Sequence, residues 1–234
     1  ALLECVPAGA GDEVLVCDLS MARNRAALLR LLERGARVRY FDHHAAGDVP
    51  RHPALAAHID LASGVCTSAI VDRHLGGRFR AWAVVGAFGD NMRALAEGLA
   101  ESIGLQRGDC ERLRMLGEAI NYNAYGEDEA DVHIAPARLY PMLAGYRDPL
   151  EFVEREPIAH DIDALRRSDL AHGLAQRAHW QGAGGAVYLL PDASWSRRVI
   201  GSLANELAVA QPLRAHAVAR PAADGSIVVS VRAP

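Results

Sequence analysis

Lysine is missing altogether: all 25 basic residues of the 234-residue chain are arginines. With no lysine ammonium present, any permanently charged side-chain cation that meets a phosphate here is therefore a planar guanidinium fork. Positive charge is not in surplus either. The formal net charge of −4 excludes a bulk nucleic-acid coat and a polybasic membrane anchor. There are only four cysteines, Cys5, Cys17, Cys66 and Cys110, and no two are spaced as C-x-x-C, which argues against a zinc knuckle and a redox pair. Cys17 and Cys66 lie in apolar runs and read as buried thiols, which fits a reducing cytoplasm. No apolar run approaches the ~20 residues that span a bilayer, and no secretory leader is visible. The sequence starts at Ala1 without Met and stops at Pro234 just after an apparent strand, so both ends are expected to be cut.

What is present reads as α/β. Val14-Leu15-Val16-Cys17 is a short apolar, β-branched run ending at Asp18. Ser20 is a candidate N-cap, apolar residues from Ala26 to Leu32 follow at helical spacing, and Gly35 sits where a C-cap belongs. Val38 to Phe41 is the next strand, ending at Asp42. An acid thus closes each of two successive strands, at the edge where open α/β sheets bind ligands. His58 to Leu61 reads as a third strand, and Cys66 to Leu75, Ala81 to Phe88, Met92 to Ile103 and Asp109 to Tyr122 as helices. Pro136, Pro141, Pro149 and Pro157 are expected to break the chain at short intervals. Pro157 to Trp180 reads as one long polar helix and 181–185 as a flexible joint. Strand, helix, strand, strand follow at 186–190, 197–210, 213–219 and 226–231, with Asp224-Gly225 as the last hairpin turn.

Asp42-His43-His44 is the strongest local signal. A neutral imidazole nitrogen is a good ligand for a first-row divalent metal. An acid just before it can orient the ring, a role whose loss typically costs ~10–100-fold in affinity or activity. Adjacent histidines in a turn can point differently, one to metal and one to substrate. Asp18 ends the neighbouring strand, and Asp90, between Gly89 and Asn91, ends an apolar element. Acids in such places are costly unless paired or metal-bound. The bland alternatives are a helix N-terminal acid for Asp18 and a cap of the helix starting near Met92 for Asp90. His52, His58, His74, His133 and His216 read as ordinary histidines, the His160, Asp161, Asp163 group as helix-dipole chemistry, and Arg197-Arg198 as a solvated pair.

The order Val-Leu-Val-Cys-Asp18, Phe-Asp42-His43-His44, Gly-Asp90-Asn91 resembles the DHH phosphoesterase superfamily of RecJ-like exonucleases, oligoribonucleases, cyclic-dinucleotide phosphodiesterases, manganese pyrophosphatases and exopolyphosphatases. The stretch from Ser63 to Thr67 and Ser68 resembles the small-residue segment that follows the family's motif, and Arg198 to Gly201, Asn205 to Leu207 and Ser230 to Arg232 resemble its associated substrate-binding domain. The resemblance implies a parallel-sheet catalytic domain over 1–145, a helical linker over 146–183 and a smaller α/β substrate-binding domain over 184–234. It implies that Asp18 bridges two Mn²⁺ (or Mg²⁺) ions, that His43 and Asp90 complete the ligands of the second, and that Asp42 supports His43. It further implies that His44 contacts the phosphate and protonates the leaving oxygen, and that Ser230 and Arg232 hold substrate phosphate.

The activity implied is metal-dependent hydrolysis of a small phosphoester, such as a short single-stranded oligonucleotide or a cyclic dinucleotide. Alternatives are a pyrophosphatase or exopolyphosphatase, and a non-catalytic nucleotide sensor on the same fold. Tyr188, Trp180 and Trp195 tilt the choice toward nucleotides as stacking surfaces. No membrane partner is expected, and a homodimer is left open. The family's Asp-x-Asp-Gly motif and its C-terminal Gly-rich loop are not among these residues, so weak or no hydrolysis by this chain is expected.

Overall fold

The computed structural model describes residues 2–234. By backbone contacts the chain divides into two compact units, Ala1–Cys110 and Glu111–Pro234.

The first unit carries a parallel three-stranded sheet, β1 (Glu13–Cys17), β2 (Arg37–Asp42) and β3 (Leu55–Ile59), in the order β1-β2-β3. Parallel neighbours need a crossover, and α1 (Met21–Glu33) supplies the one between β1 and β2. Ser20 caps α1 by accepting from the Arg23 N–H, and Gly35 adopts φ +87 after its end. β2 is the central strand and is buried through its last three residues. Val38 and Tyr40 join Met21, Leu28 and Leu31 in the core under α1, whereas Phe41 turns to the other face and meets His74. The Tyr40 hydroxyl donates to the Leu19 carbonyl at 2.6 Å and pins the loop after Asp18; burial, with Asp42 nearby, pushes its pKa up to about 12. On the second face α2 (Thr67–His74) packs against β2, α3 (Arg80–Gly89) packs on α2, and α4 (Arg93–Ser102) on α3.

α5 (Arg107–Tyr122) straddles the division between the units. The second unit then holds α6 (Pro136–Ala144), α7 (Pro149–Arg155) and α8 (Pro157–Leu174). Its four-stranded sheet runs β4 (Trp180–Gly182), β5 (Gly185–Leu189), β6 (Ala215–Pro221), β7 (Ile227–Arg232), with α9 (Ser194–Ala210) between β5 and β6. The β5–β6 pair is parallel and the two outer pairs are antiparallel. Ile200, Leu203 and Ala204 of α9 pack on Val218 and Leu190. By register Trp180, Leu189, Val229 and Val231 share the opposite face, and all four are exposed.

Several expectations shift. β3 starts three residues earlier than 58–61, because the register with β2 ends at Asp42↔Ile59 and Asp60 turns the chain by accepting from the Ala62 N–H. Pro136, Pro149 and Pro157 begin helices rather than break them; a first-turn proline lacks only an N–H that has no helical partner anyway. The long helix stops at Leu174, because from His179 on the backbone pairs with β5. The 181–185 joint is the β4–β5 hairpin, not a hinge. The division at Cys110 falls well before residue 145, and within the second unit α5 is tied to α8 by the Glu118–Arg166 and Tyr122–Asp169 contacts. Cys66 is buried as expected, but Cys17, on the edge strand β1, is exposed. Among the described residues no helix is long and apolar enough to cross a membrane.

Candidate metal centre

Three loops of the first unit converge. Asp18 follows the last residue of β1 with φ +60, a left-handed conformation uncommon for a residue with a Cβ. His43 and His44 follow the last residue of β2. Asp90 is the C-cap of α3, and Asn91 continues with φ +58, the conformation that commonly ends a helix. α1 is capped by Ser20, so the Asp18 carboxylate, two residues before it, is not its cap. The N-cap of α4 is Met92, without a side-chain cap bond, so Asp90 does not cap α4.

The donors meet around one imidazole nitrogen. His43 Nε2 lies 3.5 Å from Asp18 Oδ1 and 3.6 Å from Asp90 Oδ2. His43 Nδ1 stands 2.8 Å from the Val65 carbonyl oxygen, which can only accept, so Nδ1 carries the proton and Nε2 keeps a lone pair in the neutral ring. One donor atom each from Asp18, His43 and His44 fall within 4.8 Å of one another. Asp18 and Asp90 ion-pair with no arginine among the described residues. Burial, reinforced by the Asp18 charge, pushes the Asp90 carboxyl above the usual range, and the neighbouring histidines only partly offset this. Two carboxylates with no permanent counter-cation and one oriented imidazole form a donor set that fits a hard or borderline divalent cation such as Mn²⁺.

Asp42 supports a different partner from the one expected. It is fully buried, and its Oδ1 accepts from His44 Nδ1 at 2.7 Å. His43 is oriented by the Val65 carbonyl instead. Asp42 is the last residue of β2, and after it the chain bends at His44, which brings the His44 ring back onto the Asp42 carboxylate. Among the described residues the Asp42 Oδ2 has no hydrogen-bond partner.

Thr67 belongs to the small-residue stretch, to which the sequence assigns no task. Its hydroxyl donates to Asp18 Oδ1 at 2.8 Å. Ser230 and Arg232 lie in the second unit on β7: Arg232 Nη1 donates to Ser230 Oγ at 3.2 Å, and Nε donates to Asn205 Oδ1 at 2.6 Å. Arg197 and Arg198 are not a solvated pair. Arg197 pairs with Asp131 and Asp192, and Arg198 with Asp169 and the Tyr122 hydroxyl. Tyr188 and Trp195 pack against the α9 core, which leaves Trp180 as the exposed member of the three aromatics. His58 and His74 are not isolated either: His58 stacks on Phe41 at 4.6 Å with 8° between the planes, and His74 contacts both rings.

No protein-family model and no curated protein sequence matches the chain. Solved structures do. A crystal structure of exonuclease RecJ bound to manganese superposes on 95% of the chain with TM-score 0.53 and 20% identity. RecJ from Thermus thermophilus in complex with Mn²⁺ superposes over 95% of the chain with TM-score 0.52 and 19% identity. The chain spans 64% of the first protein and 38% of the second. A likeness at that identity is one of architecture: the chain has a RecJ-like fold.

Proposed function

We propose that the protein is a divalent-metal-dependent phosphoesterase acting on a short single-stranded oligonucleotide or a similar small phosphodiester. The observation that carries this reading is His43 Nε2, 3.5–3.6 Å from carboxylates that come from two other elements, with Nδ1 turned to the Val65 carbonyl. Asp18, His43 and Asp90 would hold the cation. A cation held there supplies Lewis-acid polarisation of a phosphoryl oxygen and lowers the pKa of a water toward ~7.

The remaining tasks fall to the chain's own side chains. The buried Asp42 fixes the His44 ring by accepting from Nδ1. His44 Nε2 is thereby the outward nitrogen of a half-exposed ring. As imidazolium it donates through both nitrogens, Nδ1 to Asp42 and Nε2 to a phosphate or leaving oxygen. Val65 keeps the proton of neutral His43 on the far nitrogen. Ser230 and Arg232 form a hydroxyl–guanidinium pair suited to a phosphate oxygen. The functional partition into a catalytic part (1–145), a helical linker (146–183) and a substrate-binding part (184–234) belongs to the same proposal, as does a cytoplasmic setting.

The test is Mn²⁺ binding by the purified chain, followed by hydrolysis assays over dinucleotides, cyclic dinucleotides, phosphoadenosine phosphate and polyphosphate. Binding that Asp18→Asn and His43→Ala each abolish, with residual diester turnover cut ~10²–10⁴-fold by His44→Ala, supports the reading. Absence of Mn²⁺ binding, or turnover indifferent to His44, overturns it. Preference for polyphosphate would move the substrate class to the pyrophosphatase alternative.

A further inference from the structure

One short segment touches two of the proposed ligands. Between β3 and α2 the chain passes through Val65, Cys66 and Thr67. The Val65 carbonyl accepts from His43, and the Thr67 hydroxyl donates to Asp18, across 22 and 49 residues of sequence. Thr67 is the first residue of α2 and is only 6% exposed. The N-cap of α2 is Cys66, which makes no side-chain cap bond, and the Thr67 O–H donates to a carboxylate on another loop.

Asp18 needs such a partner. Its side chain is 58% exposed and its backbone sits in the left-handed region. The Thr67 hydroxyl at 2.8 Å is its nearest donor among the described residues; the imidazoles stand off at 3.5 and 4.0 Å. A carboxylate offers about four lone-pair positions. With one on Oδ1 taken by the hydroxyl, the plane of the group is set and the others remain directed outward beside His43 Nε2.

We propose that Thr67 is a positioning residue for the metal centre: its hydroxyl holds the Asp18 carboxylate in the orientation that binds the cation. This rests on the reading that Asp18 and His43 hold a divalent cation. Valine has nearly the same shape as threonine without the hydroxyl, and serine keeps the hydroxyl without the methyl, so the two variants separate hydrogen bonding from packing.

The experiment titrates EDTA-stripped protein with Mn²⁺, reading free Mn²⁺ by electron paramagnetic resonance and folding by thermal melting without metal. Thr67→Val is expected to weaken Mn²⁺ binding ~10–100-fold while the metal-free melting temperature stays near the parent's. Thr67→Ser is expected to bind like the parent. Loss of a merely structural contact would lower the melting temperature and leave the affinity of the folded protein unchanged. Parent-like affinity in Thr67→Val, or a loss in Thr67→Ser equal to that in Thr67→Val, overturns the proposal. Should Thr67→Val fail to fold, Thr67→Ala carries the same comparison. If Asp18→Asn abolishes binding while Thr67→Val does not, the role of Thr67 fails and the metal centre stands. If the parent binds no Mn²⁺, both fall.

Discussion

Asp90 closes α3 at the end where the helix dipole disfavours an anion. Burial and the Asp18 charge add to that cost and raise its pKa. A carboxyl whose folded pKa lies above its unfolded value favours folding below the unfolded value, and that contribution is lost as pH rises through the folded one. At neutral pH the ionised group is thus a liability that a bound cation relieves. Asp90→Asn is expected to raise the melting temperature of the metal-free protein at pH 7 and to abolish the further rise that Mn²⁺ produces. A lower metal-free melting temperature in the variant would contradict this. His58 works in the opposite sense. Burial first, then His74 and Arg39, lower its pKa. Its contribution is complete above the unfolded value of ~6.5 and is lost as pH falls through the folded one. His58→Phe keeps the stack on Phe41 and removes the titration. Its urea midpoint should therefore drop less than the parent's between pH 7.5 and 5.5; equal drops would rule out His58 as the source.

Among the elements, α2 connects the site to its support. Its first residue meets Asp18, and its body packs on α3, the helix that delivers Asp90. The closest approach is at Gly86, where an added Cβ would fall 2.0 Å from Ser68 Oγ and 2.6 Å from Ser68 Cβ. Gly86→Ala must push the helices apart, at a cost of ~1–3 kcal/mol for overpacking. It should also weaken Mn²⁺ binding, because Thr67 and Asp90 ride on the two helices that separate. Urea unfolding and a Mn²⁺ titration check both effects, and a change under about 0.5 kcal/mol, the range of surface substitutions, would mean that the contact is soft. Three of the element-level misreadings share one cause. β3, the end of α8 and the β4–β5 hairpin are fixed by pairing partners distant in sequence or by the strand that follows. Local propensity contains none of those partners.

Across the molecule the charge balance limits how a nucleic acid is held. The net charge of −4 gives no surplus of positive charge for broad phosphate neutralisation, and Arg197, Arg198 and Arg220 are committed to carboxylates. Binding of a short single-stranded oligonucleotide should therefore need Mn²⁺ and depend weakly on salt. A loss of less than about tenfold is expected between 50 and 200 mM, the slope of about two phosphate contacts. A steep salt dependence, or tight binding in EDTA, would point to a basic surface that the arginine pairing does not leave free.

The α/β class and the residues of the centre were legible from amino-acid order alone. Strand-end acids and a histidine pair are local patterns, and strand ends in a parallel sheet meet at one edge, so Asp18 and His43 could be brought together from one dimension, whereas Asp90, at the end of a helix, joined them through the resemblance. Amino-acid order also carried Ser230 and Arg232 to one strand face, two residues apart. Which side chain serves which was decided by the folded arrangement. Asp42 pairs with His44 across the bend that follows β2, and His43 finds its acceptor at Val65. Thr67 acquires a task because α2 starts beside the loop after β1, and the arginines of α9 lose theirs to buried acids on other elements. Hydrogen-bond partners are chosen by distance and direction across the fold, and spacing along the chain does not encode them.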